Sequence, residues 1–259
     1  MKQNSIKHIG FIMDGNRRFS IKNNISKLKG YELGMLQCLN FIKYQIKNNI
    51  FETSFYALST ENLKNRNQEE LKIIKELILN FFEKKDINNN ENNIEDIEEF
   101  FKTNKMQLNL IGDIEELEKN NSSIFNFNSI FIKKLKNKIN KINKNLNEIK
   151  FKVNICINYG GQNEIKNACI KIAKKIKNNE INIEDINEKL IKKNIFFNSS
   201  TPPEIIVRPG NVPRLSGFCL WDSQYSEIYL SKKYWPELTE NDFKDILNWY
   251  SNIQRNFGK

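Results

Sequence analysis

The chain has 259 residues, 39% hydrophobic and 11% aromatic, which is enough for one sizeable core and ordinary for a single domain. Its 41 basic and 31 acidic residues leave a net charge of +10, which favours anionic partners such as diphosphates, acidic lipid head groups or nucleic acid. Four scattered cysteines (Cys38, Cys156, Cys169 and Cys219) without C-x-x-C spacing argue against a disulfide framework or a zinc site and for a reducing compartment, and the lone histidine, His8, has no nucleophile motif beside it.

The opening HIGFIMDGNRRF, His8 to Phe19, reads as a short buried strand from Ile9 to Met13 that ends in Asp14, a Gly15-Asn16 turn, and then Arg17 and Arg18. At the carboxyl end of a strand in an open α/β sheet, this set suits a Mg²⁺-bound diphosphate. The acid holds the cation, the turn offers backbone N–H groups, and the guanidinium groups grip phosphate oxygens in a planar fork. His8, at the start of that strand, is expected to be structural.

A second strand-like run, SFYALSTENLKNR, ends in Ser59, Thr60, Glu61, Asn62 and Arg66. Leu71, Ile74, Leu77, Ile78, Phe81 and Phe82 then make the apolar face of a helix, followed by a low-complexity polar insertion at about 86–93 (DINNNENN). Ile94, Ile97, Phe100 and Phe101 form another apolar helix face. Lys133, Lys134, Lys136, Lys138 and Lys141 interleave with Ile and Leu at helical spacing, a solvated helix face that could also attract a membrane surface; no nucleic-acid partner is expected. Strand-like runs near 106–111 and 151–158 precede a helix over Gln162 to Asn178, with its stripe at Ile165, Ala168, Cys169, Ile172, Ala173 and Ile176. Last comes PEIIVRPGNVPRLSGFCLWDSQYSEIYL, Pro203 to Leu230: an apolar run from Ile205 to Val207, then Arg208, Arg214, Leu215 and Ser216, and a strand-like stretch that contains Glu227.

Strands alternating with helices predict an α/β fold in one domain, 1–259, with a mostly parallel central sheet of about six strands flanked by helices. Met1 to Lys7 is polar and has no secretory character, and no apolar run approaches the roughly 20 residues of a membrane span. A cytoplasmic protein, soluble or peripheral on a membrane, is the expectation.

Three strand ends that carry phosphate-binding residues are a specific pattern. MDGNRR, the ALSTEN block, INYGG (Ile157 to Gly161), RPGNVPRLSGFCLW leading to SEIYL, WPEL at Trp235 and the closing R-N-F-G (Arg255 to Gly258) resemble, in order and spacing, the cis-prenyltransferases, the undecaprenyl and dehydrodolichyl diphosphate synthase family. The resemblance runs from about residue 8 to the end of the chain. It implies a hydrophobic tunnel beside the sheet and a Mg²⁺-dependent condensation of isopentenyl diphosphate onto an allylic diphosphate, with farnesyl diphosphate the expected primer. The product would be a long polyprenyl diphosphate for dolichol- or undecaprenol-type carriers.

By the same resemblance, Asp14 is a catalytic, metal-linked acid and Glu227 a second metal-associated acid. Gly15, Asn16, Arg17 and Arg18 form the allylic diphosphate cradle, and Arg208, Arg214, Leu215 and Ser216 the isopentenyl diphosphate site. Asn62, with Ser59, Thr60 and Glu61, serves proton removal or substrate orientation, and Phe19 and Leu63 meet the prenyl tail. Helices after the S-x-E-N block wall the tunnel, where extra length goes with longer products. The resemblance also places Lys27, Tyr31 and Arg66 among the substrate contacts, but Lys27 and Tyr31 depart from the bacterial pattern, standing where Arg and His are common. Lys27 can hold a phosphate as a point charge, and Tyr31 can hydrogen-bond without being a cation. Leu63 replaces an aromatic, Arg66 is displaced past Asn65, and Val212-Pro213 replaces Glu-His. Arg17 fits eukaryote-like members, whereas Glu227 and the terminal R-x-F-G fit self-sufficient homodimers. The rival reading is a non-catalytic subunit of a heteromeric enzyme; such subunits usually lose the first-block Asp and arginines that this chain keeps.

Overall fold

The computed structural model describes residues 6–83, 96–119 and 129–254. The insertion at 86–93, Ile94 and the Arg255–Gly258 motif lie outside the described residues. Six strands form one sheet: β1 (His8–Phe11), β2 (Glu52–Ser59), β3 (Met106–Ile111), β4 (Phe151–Tyr159), β5 (Ile205–Pro209) and β6 (Glu227–Ser231). Their spatial order is β3-β4-β2-β1-β5-β6, and every pairing is parallel. The sheet is thus fully parallel, and each expected strand is present within two residues of its sequence-based bounds.

A parallel sheet covered on both faces buries its strands throughout, so they read as continuous apolar runs rather than alternating ones. In β1 every residue is buried: Ile9 and Phe11 face one side, while His8 and Gly10 face the other. Helices α1 (Asn16–Lys22) and α2 (Lys27–Lys47) follow β1, and α3 (Thr60–Asn65) and α4 (Gln68–Glu83) follow β2. Next come α5 (Ile97–Thr103), α6 (Ile114–Lys119), α7 (Ser129–Asn143), α8 (Gly161–Lys177), α9 (Glu188–Asn194) and α10 (Glu240–Ser251).

The larger core joins Ile9, Phe11 and Phe55 of the sheet to α2, α4, α5, α7 and α10. At its centre, Phe11 packs against Phe41 at 5.0 Å, Phe55 at 5.6 Å and Trp235 at 5.7 Å between ring centroids. The smaller core, on the opposite face, gathers Tyr56, Cys156, Tyr159, Ala168, Phe197, Phe218 and Cys219. Gly10 is required there, because a Cβ would lie 2.7 Å from the Phe218 ring. His8 is structural as expected: it is fully buried, Nδ1 donates to the Thr201 carbonyl at 2.5 Å, and Nε2 accepts from Ser54 Oγ at 2.7 Å.

Helix α8 corrects one sequence expectation. Gly161, Glu164, Ala168 and Ile172 are its buried positions, while Cys169 and Ala173 are exposed. The buried stripe is therefore rotated from the apolar one, and Glu164 is accommodated in it by the Tyr159 hydroxyl at 2.6 Å and the Phe196 and Phe197 amides at 3.0 Å. The lysine face of α7 is solvated as expected, with Phe131, Ile132, Leu135, Ile139 and Ile142 turned inward. No helix among the described residues is long and apolar enough to cross a membrane.

Candidate active site

From β1 the chain passes to β2 on one side, and β5 is added on the other, so the strand order reverses at β1. Such a switch point opens a crevice beyond the strands' carboxyl ends. Asp14 follows β1, Ser59 closes β2, and Arg208 lies near the end of β5, which brings the three sequence blocks to one rim. Below that rim is a cavity of about 430 Å³. Asp14, Asn16, Arg17, Tyr31, Ser59, Glu61, Asn62, Arg66, Arg208, Arg214 and Ser216 line its mouth, and Ile42, Phe55, Ile74, Leu77, Ile78, Phe81, Phe82 and Phe101 its interior. The apolar face read from α4 is therefore a cavity wall as well as a core contact.

Asp14 sits between two arginines. Its Oδ1 accepts from Arg18 Nη2 at 3.0 Å and its Oδ2 from Arg208 Nη2 at 2.9 Å. Burial penalises the charged carboxylate, but the two guanidinium groups outweigh that penalty and hold its pKa below the ordinary value. The backbone is anchored too: the Asp14 carbonyl accepts from the Trp235 amide at 3.0 Å, and Trp235 Nε1 donates to the Gly34 carbonyl at 2.7 Å. The WPEL segment thus fixes the first motif against α2.

Gly15 has a φ of 102°, a left-handed conformation, and a Cβ there would also lie 2.6 Å from the Tyr234 ring. That close approach lets Tyr234 stack under Arg18, 5.1 Å from guanidinium carbon to ring centroid. Arg18 Nη1 also donates to the Gly210 carbonyl at 3.1 Å, so the first motif reaches across to the loop after β5 through this arginine.

That loop is strained. Gly210, Asn211, Ser216 and Gly217 all have positive φ. Its folding turns the Arg214 carbonyl and Ser216 Oγ back onto Arg208 Nη1, the latter at 2.9 Å. Arg208 is buried, yet its Nε has no partner among the described residues; the same holds for Arg66 Nε and Asn16 Oδ1. Three residues lining one cavity therefore retain unspent hydrogen-bonding capacity.

Several expected site residues do other work. Ser59 Oγ caps α3 by accepting from the Asn62 amide at 3.0 Å. Thr60 packs against the turn into α8, since a Cβ on Gly160 would meet its Oγ1 at 2.6 Å. Leu63 lies in the larger core and Leu215 packs against the smaller one. Neither they nor Gly15, Arg18, Phe19, Lys27 or Thr60 lines the cavity. Glu227 begins β6 opposite Ile205, at the other end of the strands from Arg208, and the structure does not bring it to Asp14 within the chain. No group of three or more His, Cys, Asp or Glu side chains among the described residues is arranged to hold a metal.

Sequence reasoning missed Glu70. It is a buried carboxylate on α4, paired with Arg66 at 3.0 Å and Arg17 at 3.6 Å and accepting the Tyr31 hydroxyl. Burial of Tyr31 beside that acid raises its phenol pKa. The available signal was register: Glu70, Ile74, Leu77, Ile78 and Phe81 share one helical stripe, which Glu70 heads at its polar end.

Comparison with known proteins gives one consistent answer. The Prenyltransf family model, undecaprenyl diphosphate synthase, matches residues 12–258. A geranylgeranyl-diphosphate-specific tritrans,polycis-undecaprenyl-diphosphate synthase of Methanocaldococcus jannaschii is 36% identical over 260 positions, covering 100% of this chain and 84% of that one. A (2E,6E)-farnesyl-diphosphate-specific ditrans,polycis-undecaprenyl-diphosphate synthase of Photorhabdus laumondii is 30% identical, covering 97% and 89%. Among solved structures, lavandulyl diphosphate synthase from Lavandula x intermedia, in complex with dimethylallyl diphosphate, superposes with a TM-score of 0.84 at 22% identity, covering 98% and 99% of the two chains. This last likeness establishes the shared fold.

Proposed function

The chain belongs to the undecaprenyl diphosphate synthase family of cis-prenyltransferases, and from that premise we propose that it extends an allylic diphosphate with isopentenyl diphosphate units to a long-chain polyprenyl diphosphate. The observation that carries this reading is the cavity itself, with arginines and the acids Asp14 and Glu61 at the mouth and a wall of Ile, Leu and Phe behind them. Such a site suits a substrate with a diphosphate head and a hydrocarbon tail. Farnesyl diphosphate is the proposed primer. The relatives' names divide between farnesyl and geranylgeranyl specificity, so the assay includes both.

Asp14 is the proposed holder of Mg²⁺. This ion keeps several waters and takes one or two carboxylates plus substrate phosphates rather than an all-protein cage, so a single acid at a phosphate site fits it. Each oxygen of Asp14 is used once, and a carboxylate has about four lone-pair sites, so capacity for a cation remains. The ion would neutralise charge on the departing diphosphate.

Arg17 and Arg66 at the cavity wall, with Arg18 at its rim on Asp14, grip the primer's diphosphate, and Arg208, Arg214 and Ser216 that of isopentenyl diphosphate. Arg208 also holds Asp14 in place and, being buried, loses little freedom when phosphate arrives. Asn62 orients the condensing carbon or relays its proton. The apolar wall excludes water, which would otherwise capture the developing allylic cation.

The proposed assembly is a homodimer through the open β6 edge, where Ile228 and Leu230 are exposed. Glu227 stands at that edge, so a metal role for it belongs with the dimer. The basic face of α7 is the proposed site of peripheral contact with anionic membrane, on the cytoplasmic side.

The test is incorporation of labelled isopentenyl diphosphate with farnesyl or geranylgeranyl diphosphate and Mg²⁺, with EDTA as control and products sized after dephosphorylation. A polyprenol ladder from the purified chain supports the reading. No product from pure, folded protein returns the partner-subunit alternative.

A further inference from the structure

Glu70 and its three partners come from separate elements: Arg17 from α1, Tyr31 from α2, Arg66 from the α3–α4 link and Glu70 from the first turn of α4. The acid is only 4% exposed, and its amide donates to Asn67 Oδ1 at 2.8 Å, which locks the helix start that carries it. One carboxylate oxygen takes both Arg66 Nη1 and the Tyr31 hydroxyl; the other faces Arg17 Nη1. Arg66 Nη1 also donates to Tyr31 Oη at 3.0 Å, closing a triangle. The two departures noted in the sequence, Tyr31 and the displaced Arg66, are therefore a matched pair built around this acid.

The arrangement has a direction. Arg17, Tyr31 and Arg66 line the cavity, whereas Glu70 does not. The carboxylate lies behind the cations and leaves the space in front of them open. Each guanidinium has five N–H donors, and Glu70 engages only part of each set. A buried carboxylate is costly unless paired, so Glu70, Arg66 and Tyr31 hold one another in a defined geometry, with the more exposed Arg17 drawn to the same acid at 3.6 Å.

We propose that Glu70 is a positioning residue for the allylic diphosphate: it fixes Arg17, Arg66 and the Tyr31 hydroxyl toward that group and does not touch substrate itself. The inference rests on the prenyl diphosphate reading of the cavity and adds a residue to it. It assigns Glu70 to the primer side of the mouth, away from the Arg208, Arg214 and Ser216 cluster.

Glu70→Gln removes the charge and keeps the size and the helix cap. Binding of farnesyl diphosphate, and of geranylgeranyl diphosphate in parallel, is measured on the full chain by calorimetry, alongside steady-state kinetics in both the allylic substrate and isopentenyl diphosphate. Loss of the charge-assisted bonds should raise the Kd and KM for the allylic substrate about tenfold, with KM for isopentenyl diphosphate within about twofold. Glu70→Asp should recover part of the loss. In an Arg66→Ala background, Glu70→Gln should add clearly less than its roughly tenfold effect in the wild type, because one of the three groups it positions is already gone. Tyr31→Phe, which removes one partner and leaves the charges paired, should show the same primer-selective change at about threefold.

Three results would each overturn the proposal. One is tighter primer binding by Glu70→Gln, which would mean that the acid competes with diphosphate. Another is an unchanged primer KM in either Glu70→Gln or Tyr31→Phe. The third is an equal loss for both substrates with a lowered Tm, which marks a merely structural acid. If the wild-type chain transfers no prenyl group, the proposed function fails separately, and the binding comparison still judges Glu70.

Discussion

Asp14→Asn separates the charge of the central acid from its shape. The wild-type carboxylate has two cationic partners of unequal burial: the Arg208 side chain is 6% exposed and that of Arg18 43%. The Arg18 pair, at i,i+4 spacing and in solvent, contributes only about 0.3–0.5 kcal/mol. Breaking a fully buried pair costs about 3–5 kcal/mol, but several features reduce that here. Asp14 is itself 28% exposed, the asparagine oxygen can still accept from Arg208, and Arg208 keeps the Arg214 carbonyl and Ser216 Oγ. About 1–2 kcal/mol of lost stability remains, a fall in Tm of roughly 2–8 °C for a chain of this size. The catalytic loss is larger. Removing the proposed cation-holding acid from a charge-developing reaction should lower kcat at least about 10³-fold, equivalent to roughly 4 kcal/mol of barrier. Thermal unfolding by circular dichroism and labelled isopentenyl diphosphate incorporation read the two effects on one preparation, and Asp14→Ala should likewise abolish turnover in a folded protein. Turnover of Asp14→Asn within tenfold of wild type would refute the assignment. The pH dependence gives a second check. Because the folded carboxyl has the lower pKa, its stabilisation is complete above the ordinary value of 3.8 and is lost as pH falls through the lower folded value. The stability gap between wild type and Asp14→Asn should therefore narrow in strong acid.

Gly15→Ala should be destabilised by about 1–2 kcal/mol from the positive φ alone and lose activity as Tyr234 is pushed from Arg18; calorimetric Tm and turnover test this, and a neutral outcome would contradict the local geometry. Phe81→Ala removes a large side chain from the cavity wall, so it should cost up to about 3 kcal/mol and lengthen the polyprenol ladder, read by chromatography after dephosphorylation. His8 is held neutral: burial lowers its pKa from 6.5 despite the opposing charge of Glu52. Below about pH 6.5 the unfolded chain gains a proton that folded His8 resists, so Tm should fall from pH 7.5 to 5.5, and His8→Asn should be less stable with a flatter profile over that range.

The strands were legible because a parallel sheet buried on both faces turns each of them into a short apolar run bounded by polar residues. The site's rim was legible for a related reason: strand ends at a switch point must carry the polar groups that meet a ligand, and Asp14, Ser59 and Arg208 each follow such a run. Residues whose work depends on a partner far along the chain were not. Leu63 and Phe19 lie close in sequence to the cavity-lining Asn62 and Arg17, but one turn of helix directs the first into the core and leaves the second off the cavity wall. In α8 the apolar pattern pointed to Cys169 and Ala173, yet Glu164 occupies the buried stripe because Tyr159 and two amides 32 and 33 residues away satisfy it. Glu70 is the same problem at the site. Beside Glu69 in a first helical turn it looks like ordinary dipole complementation, and only the fold brings Arg17, Tyr31 and Arg66 to it.

The distribution of acids across the mouth follows from the charge the site must carry. Five arginines face one small cavity or its rim, and without counter-charge they would repel one another. Asp14 pairs with Arg18 and Arg208, and Glu70 with Arg66 and, at 3.6 Å, with Arg17, so four of the five guanidinium groups have an acidic partner before any anion arrives. The acids differ in depth: Asp14 is partly open at the mouth, while Glu70 lies behind the wall. Under the proposed function this difference divides their work. An acid open to the cavity can share its oxygens with a cation that arrives with the diphosphate, whereas a walled-off acid can only hold its arginines still. Loss of the first should therefore appear chiefly in kcat, and loss of the second in the KM of one substrate.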